Sequence, residues 1–161
     1  MSMLLKVLGF IWASPLTLAC LTYVSVFWAL GWYKYHGIER DALVFCPVPD
    51  RVKGPLKAYW DRWGGHCIGN VIVADADPAD TAKWDRLLTH EGQHVKQVMR
   101  AGIFWALMYG LNALFIWLCC PSSHYYWSNP CEIDARRAAG QLIDVEGVKQ
   151  RLQEKSRTRS S

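Results

Sequence analysis

The sequence is short of charge in two places where a soluble protein would need it. No Asp, Glu, Lys or Arg occurs from Val7 to Tyr33 or from Ala101 to Cys131, and charged residues make up only 20 % of the 161. Helices of a soluble domain need a polar face for water, so two such stretches in one short chain argue against that class. Cysteine-based frameworks are also missing. The six cysteines include no Cys-x-x-Cys pair, which excludes the usual thiolate zinc knuckle and gives no disulfide pattern. Adjacent Cys119 and Cys120 end an apolar run, where cysteine acts as a small hydrophobe. Cation density is low as well. The net charge is +4, and basic residues are scattered or gathered in the tail from Lys149 to Arg159, so nucleic acid is not an expected partner. The length allows one domain, 1–161, and no internal repeat is present.

What is present instead is apolar and aromatic. The hydrophobic fraction is 52 %, with 9 tryptophans. Segment 7–33 is long enough to cross a hydrocarbon core, which takes about 20 helical residues. Pro15 predicts either a kinked spanning helix or a short dip followed by a longer helix. Lys6, an apolar run and a small residue before Cys20 imitate a lipoprotein signal. The chain stays apolar through Trp32, however, so the segment is expected to be retained. The second apolar segment is 101–120, and the water-facing parts are 34–100 and 121–161. The expected partner is therefore the lipid bilayer. Lys34, Arg40, Arg51 and Lys53 follow the first segment and only Lys6 precedes it, which predicts a cytoplasm-facing site at a membrane.

Between the apolar segments, 42–48 and 67–74 read as strands of a small hairpin or sheet, with a Gly/Pro/Trp-rich loop at 49–65 between them. Asp77 as N-cap with Pro78 after it predicts a helix start. Along that helix Trp84, Leu87, Leu88, Glu91, Val95 and Val98 form one stripe. A carboxylate in an apolar stripe costs free energy unless something pairs with it or uses it, so Glu91 marks a site. Near the other end, Asn129 as cap and Pro130 predict a short helix towards Ala139, stopped by Gly140. A polar helix is expected to resume beyond it.

His90-Glu91-Gly92-Gln93-His94 is an H-E-x-x-H motif. Residues four apart on a helix share a face, so two imidazoles can bind one zinc ion, and the glutamate between them can take a proton from its water. The bland alternative makes the histidines solvated and Glu91 a buried partner for Arg100. A catalytic zinc needs a third protein ligand. Glu132 is the leading candidate and His124 the runner-up, while a capping-box role is the alternative for Glu132. His36 and His66 are expected to serve loops or an interface.

An H-E-x-x-H followed by a glutamate on a later helix resembles the gluzincin metallopeptidases. More closely, the chain resembles small bacterial membrane proteins of metallopeptidase type. The likeness runs through the Pro-Leu-Thr-Leu core within Trp12 to Leu21, Gly69-Asn70-Val71-Ile72, the histidine motif continued by Val95-Lys96-Gln97, and Asn129-Pro130-Cys131-Glu132-Ile133-Asp134-Ala135. The resemblance implies a zincin-like pair of helices, zinc on His90, His94 and Glu132, Glu91 as general base, and a bacterial inner-membrane location. It implies hydrolysis of a peptide or other amide. The chain departs from the family four residues after the ligand glutamate, where Arg136 stands in place of an aspartate that orients a zinc histidine. Asp134, Asp85 or His124 would then supply that support.

The ligand set also constrains topology. A single helix over 101–120 would rise about 30 Å, and 121–129 would have to retrace it almost fully extended through lipid. This predicts a re-entrant helical hairpin turning near Gly110–Asn112. The competing class is a non-enzymatic assembly or adaptor protein with a closed, structural metal site, its fourth ligand drawn from Cys131 or His124.

Overall fold

The computed structural model describes residues 3–120 and 123–141. The expected polar helix after Gly140 and the basic tail lie outside the described residues. The chain divides into two compact units, Met1–Trp105 and Ala106–Ser161. The architecture is mainly helical with a small mixed sheet.

In the first unit, α1 (Met3–Ala29) is one uninterrupted helix of 27 residues, so the alternative of a short dip before a longer helix does not hold. Pro15 lacks the N–H that would bond the Ile11 carbonyl. The Ser14 hydroxyl donates to that carbonyl instead, at 2.7 Å, which lets the helix continue. It stops four residues short of Tyr33 because Gly31 takes φ +70°. Trp32 N–H then reaches back to Phe27 O and Gly31 N–H to Trp28 O, the paired bonds of a Schellman cap.

The released chain forms β1 (Tyr33–Glu39), which pairs antiparallel with β2 (Ala42–Pro47). β1 was not foreseen, because an edge strand with mostly exposed residues carries no apolar alternation. The connecting residues Arg40 and Asp41 both have positive φ, +53° and +63°, as a two-residue primed turn demands. The 49–65 loop contains a short helix, α2 (Gly54–Trp60), with a proline at its start. The segment expected as one strand over 67–74 is two: β3 (Gly65–Ile68) and β4 (Val71–Ala74). They turn at Gly69 and Asn70, and Gly69 has φ +65°. A side chain at Gly69 would collide with the Thr17 backbone, so the turn presses directly on α1. The sheet order is β1-β2-β4-β3, with β2 and β4 parallel and the other pairs antiparallel. All four residues of β4 are buried.

α3 (Thr81–Ala101) begins three residues later than the Asp77 reading predicts. Asp77 makes a preceding turn, accepting from Ala79 N–H through its side chain. Asp80 is the cap, accepting from Lys83 N–H at 3.2 Å. Gly102, with φ +58°, ends the helix. α1 and α3 pack closely where Gly9 meets Met99.

In the second unit, α4 (Phe104–Cys119) is continuous, although its first two residues belong to the first unit. Gly110, Leu111 and Asn112 lie inside it, which corrects the re-entrant hairpin predicted there. The retracing argument assumed a return to the start of the apolar segment. Instead the next helix, α5 (Pro130–Ala138), is tied to the middle of α4: Asn129 Nδ2–H donates to Tyr109 O at 3.2 Å. From Cys119 back to Tyr109 is about 15 Å at helical rise, well within reach of nine connecting residues. Those residues also satisfy backbone groups locally, through Ser123 N–H to Cys120 O, Ser128 N–H to His124 O and Asn129 N–H to Tyr126 O. Gly140 follows α5 with φ +62°, as expected of a stop.

Candidate metal centre

The stripe on α3 places Trp84, Leu88, Val95 and Val98 in the core, and with them His90, Glu91 and His94. The two imidazoles sit one turn apart with ring centroids 5.0 Å from each other. His94 Nδ1 lies 3.0 Å from Gln97 Oε1, and Trp105 Nε1–H donates to the same oxygen at 3.2 Å. An amide oxygen only accepts, so Nδ1 carries the proton and Nε2 keeps its lone pair for a metal. Gln97 thus performs the support for which Asp85 was a candidate. Asp85 is exposed and pairs with Arg40.

Glu91 is 4 % exposed. Its carboxylate lies so close to β3 that a Cβ at Gly65 would stand 3.1 Å from Oε1. Gly92 is needed for a similar reason: a Cβ there would press on the Arg40 side chain at 3.0 Å. Glycine inside a helix costs about 1 kcal/mol relative to alanine, and the close approach of the β1–β2 turn accounts for it here.

Beside Gly65 lies a polar network that the sequence did not disclose. His66 Nδ1 is 3.0 Å from Tyr59 OH, and Tyr23 OH is 2.8 Å from Tyr33 OH. His66 stacks on Trp60. Burial pushes the His66 pKa down to about 4, so the ring is neutral near pH 7. Burial, reinforced by the Glu91 charge, pushes Tyr59 up to about 12, and the same two causes raise the Cys67 thiol.

On α5 the Asn129 side chain caps by accepting from Cys131 N–H at 3.1 Å. Glu132 does not close a capping box, since Asn129 N–H goes to Tyr126 O and the Glu132 carboxylate is engaged elsewhere. Tyr109 O–H donates to Oε1 at 2.9 Å, and Arg136 Nη2 lies 3.5 Å from Oε2. Arg136 is itself 4 % exposed. It donates to Trp127 O at 3.0 Å and lies over the Trp127 ring at 4.1 Å. Arg136 therefore holds the carboxylate. His124 is used in a loop, its Nδ1 accepting from Tyr126 N–H at 3.2 Å. Asp134 is half-buried on α5.

His90, His94 and Glu132 are all buried, and one ligand atom from each lies within 4.8 Å of the others. Ligands of a tetrahedral ion at about 2.0–2.1 Å stand about 3.4 Å apart, and a group of this kind could hold a metal ion. The donor chemistry fits: two imidazoles, one with its tautomer fixed, and a carboxylate with a donor on each oxygen. Tyr109 and Gln97 could have been found in the sequence. One is a phenol in the middle of an uncharged, largely apolar run, which must find a partner when buried. The other is a hydrogen-bonding side chain one turn after a candidate ligand.

No family model, curated protein or solved structure matches this chain.

Proposed function

We propose that the chain is a membrane-bound zinc hydrolase cleaving an amide bond, most simply a metallopeptidase. The observation that carries the reading is the buried His90, His94 and Glu132 group, with a second buried acid, Glu91, on the same helical turns as the two histidines. A zinc ion held there supplies a Lewis acid that polarises a carbonyl and acidifies water. Glu91 is not in the ligand group but stands between its two histidines on α3, which leaves its carboxylate for a proton-accepting role. It takes the proton from the attacking water and returns it to the departing amine. Gln97 keeps Nε2 of His94 available, while Tyr109 and Arg136 hold the Glu132 carboxylate. Among the described residues the group contains three donors, with Cys131 and His124 outside it. A three-ligand set leaves a position for substrate, which favours the enzyme over a structural site in an adaptor protein. α1 is long and apolar enough to enter a membrane, which supports the membrane location, with the site facing the cytoplasm as the charge bias suggests.

The test is zinc content of detergent-purified protein together with hydrolysis of a quenched-fluorescence peptide library. Wild type should carry about one zinc per chain, and Glu132→Ala should lose it. Glu91→Gln should keep the zinc and lose turnover. A wild type without zinc after metal-replete purification, or an active Glu91→Gln, rejects the reading.

A further inference from the structure

We infer that α1 does not cross the bilayer but lies along its surface, with one side fastened to the sheet and α3 and the other side sunk in the acyl chains of a single leaflet. The inference rests on the membrane location proposed above and goes beyond it by fixing the geometry of attachment.

The argument begins with what α1 touches along its length. Lys6 Nζ pairs with Asp41 at 2.9 Å, in the β1–β2 turn. Gly9 fits against Met99 of α3. The Thr17 hydroxyl accepts from Asn70 N–H at 3.0 Å, in the β3–β4 turn. Cys20 and Val24 enter the core formed with Tyr33, Val52, Trp60, Val71 and Val73, and Phe27 packs against it. These contacts run from Lys6 to Phe27, about 32 Å at helical rise, which equals the thickness of a hydrocarbon core of about 30 Å. A spanning α1 would carry the attached sheet through the membrane with it. The sheet has open edges at β1 and β3, and β1 exposes Lys34, Tyr35 and His36. Unpaired strand edges and charges of this kind are not tolerated in hydrocarbon.

The uncovered side of α1 is built for lipid all the same. Leu4, Leu8, Ile11, Leu18 and Val26 are each more than half exposed. At 100° per residue the exposed apolar positions cover an arc of about 200°, with Trp12 on one margin and Trp28 on the other. An arc so wide is wrapped by fluid chains rather than by the surface of a second copy. The tryptophans on its margins fall at headgroup level when the helix lies flat. Ser14 and Thr22 add no unmet polarity, since their hydroxyls donate to the Ile11 and Leu18 carbonyls. Surface helices usually carry a polar face of their own. Here the attached sheet and α3 supply it.

The test places single cysteines at Ser2 and Asp50, before the start and beyond the end of α1, in the whole chain with the Cys119 and Cys120 thiols removed by Cys119→Ser and Cys120→Ser. Expressing bacterial spheroplasts are treated with a membrane-impermeant maleimide before and after lysis. Flat attachment gives membrane-pelleted protein, resistant to high salt, with both positions labelled from the same side. Labelling from opposite sides overturns it. A soluble dimer or monomer overturns it too, and also the membrane location, while leaving the zinc assay above to judge the chemistry separately. Zero-length carbodiimide coupling of native Lys6 to Asp41 in the membrane fraction gives a second reading: the cross-linked peptide is expected, and its absence shows that α1 leaves the sheet.

Discussion

Replacing Gln97 by methionine tests how His94 is prepared for a metal. Methionine keeps the length and most of the volume of glutamine but cannot accept from a nitrogen donor with any strength. Two hydrogen bonds converge on Gln97 Oε1, from His94 Nδ1 at 3.0 Å and from Trp105 Nε1 at 3.2 Å. Losing the first frees the imidazole to place its proton on Nε2, the atom a metal needs. Supporting partners of this kind are worth 10- to 100-fold in metal affinity, or about 1.4–2.7 kcal/mol. Losing the second takes an acceptor from a nearly buried indole and costs about 1–3 kcal/mol of folding stability in the metal-free protein. The two effects are read separately, by zinc competition against a chromophoric chelator and by chemical denaturation of the apo-protein. Trp105→Phe removes only the second bond and should lower stability while leaving zinc affinity close to wild type. Gln97→Glu keeps an acceptor at the same place and should bind zinc at least as tightly as wild type. If Gln97→Met binds zinc within twofold of wild type, Gln97 does not set the His94 tautomer and the argument fails.

The remaining predictions concern buried charge. Arg136→Met takes the guanidinium partner from the buried Glu132 carboxylate, and removing one partner of a buried pair costs about 3–5 kcal/mol. Denaturation of apo-protein should show most of that loss and zinc-loaded protein less of it, because a metal replaces the missing cation; equal losses in both forms would argue against ligation by Glu132. His66 has its pKa lowered to about 4 by burial, against about 6.5 unfolded. The unfolded chain therefore binds the extra proton first, and stability is full above pH 6.5 and falls as pH drops towards 4. Between pH 7.5 and 4.5 this amounts to about 2–3 kcal/mol, with Tyr59 and Tyr23 the polar groups that face the ring. His66→Phe should remove that part of the acid sensitivity, and an unchanged pH profile would show that the imidazole is not held neutral.

The sequence made some elements legible and hid others for physical reasons. The stripe of α3 was readable because its period is helical and its one buried acid conflicts with the stripe. The Asn129-Pro130 start of α5 was readable because capping is local chemistry. β1 was hidden because pairing along one edge leaves its side chains in solvent. The split of 67–74 into β3 and β4 depended on Gly69, whose left-handed turn is forced by the approach of Thr17, a contact 52 residues away along the chain. A hairpin over 101–120 is required only if Glu132 returns to the beginning of the apolar segment, whereas α5 is anchored at Tyr109 in the middle of α4.

Arg136 shows what a motif comparison loses when it stops at identities. In the gluzincin pattern an aspartate at that position supports a histidine, and against that pattern a cation there reads as a defect. In this chain the two tasks are carried by other residues: the histidine is held by Gln97 from its own helix, and the arginine acts on the glutamate. A guanidinium so placed faces Oε2 of Glu132 whether or not a metal is bound. It must therefore compete with an incoming ion for the electron density of Oε2. Stability of the empty site is gained at some loss of metal affinity, so Arg136→Met should unfold more readily yet, once folded, hold zinc more tightly than wild type. A variant that both folds worse and binds zinc more weakly would mean that Arg136 supports the ligand geometry and that competition for the carboxylate is the smaller effect.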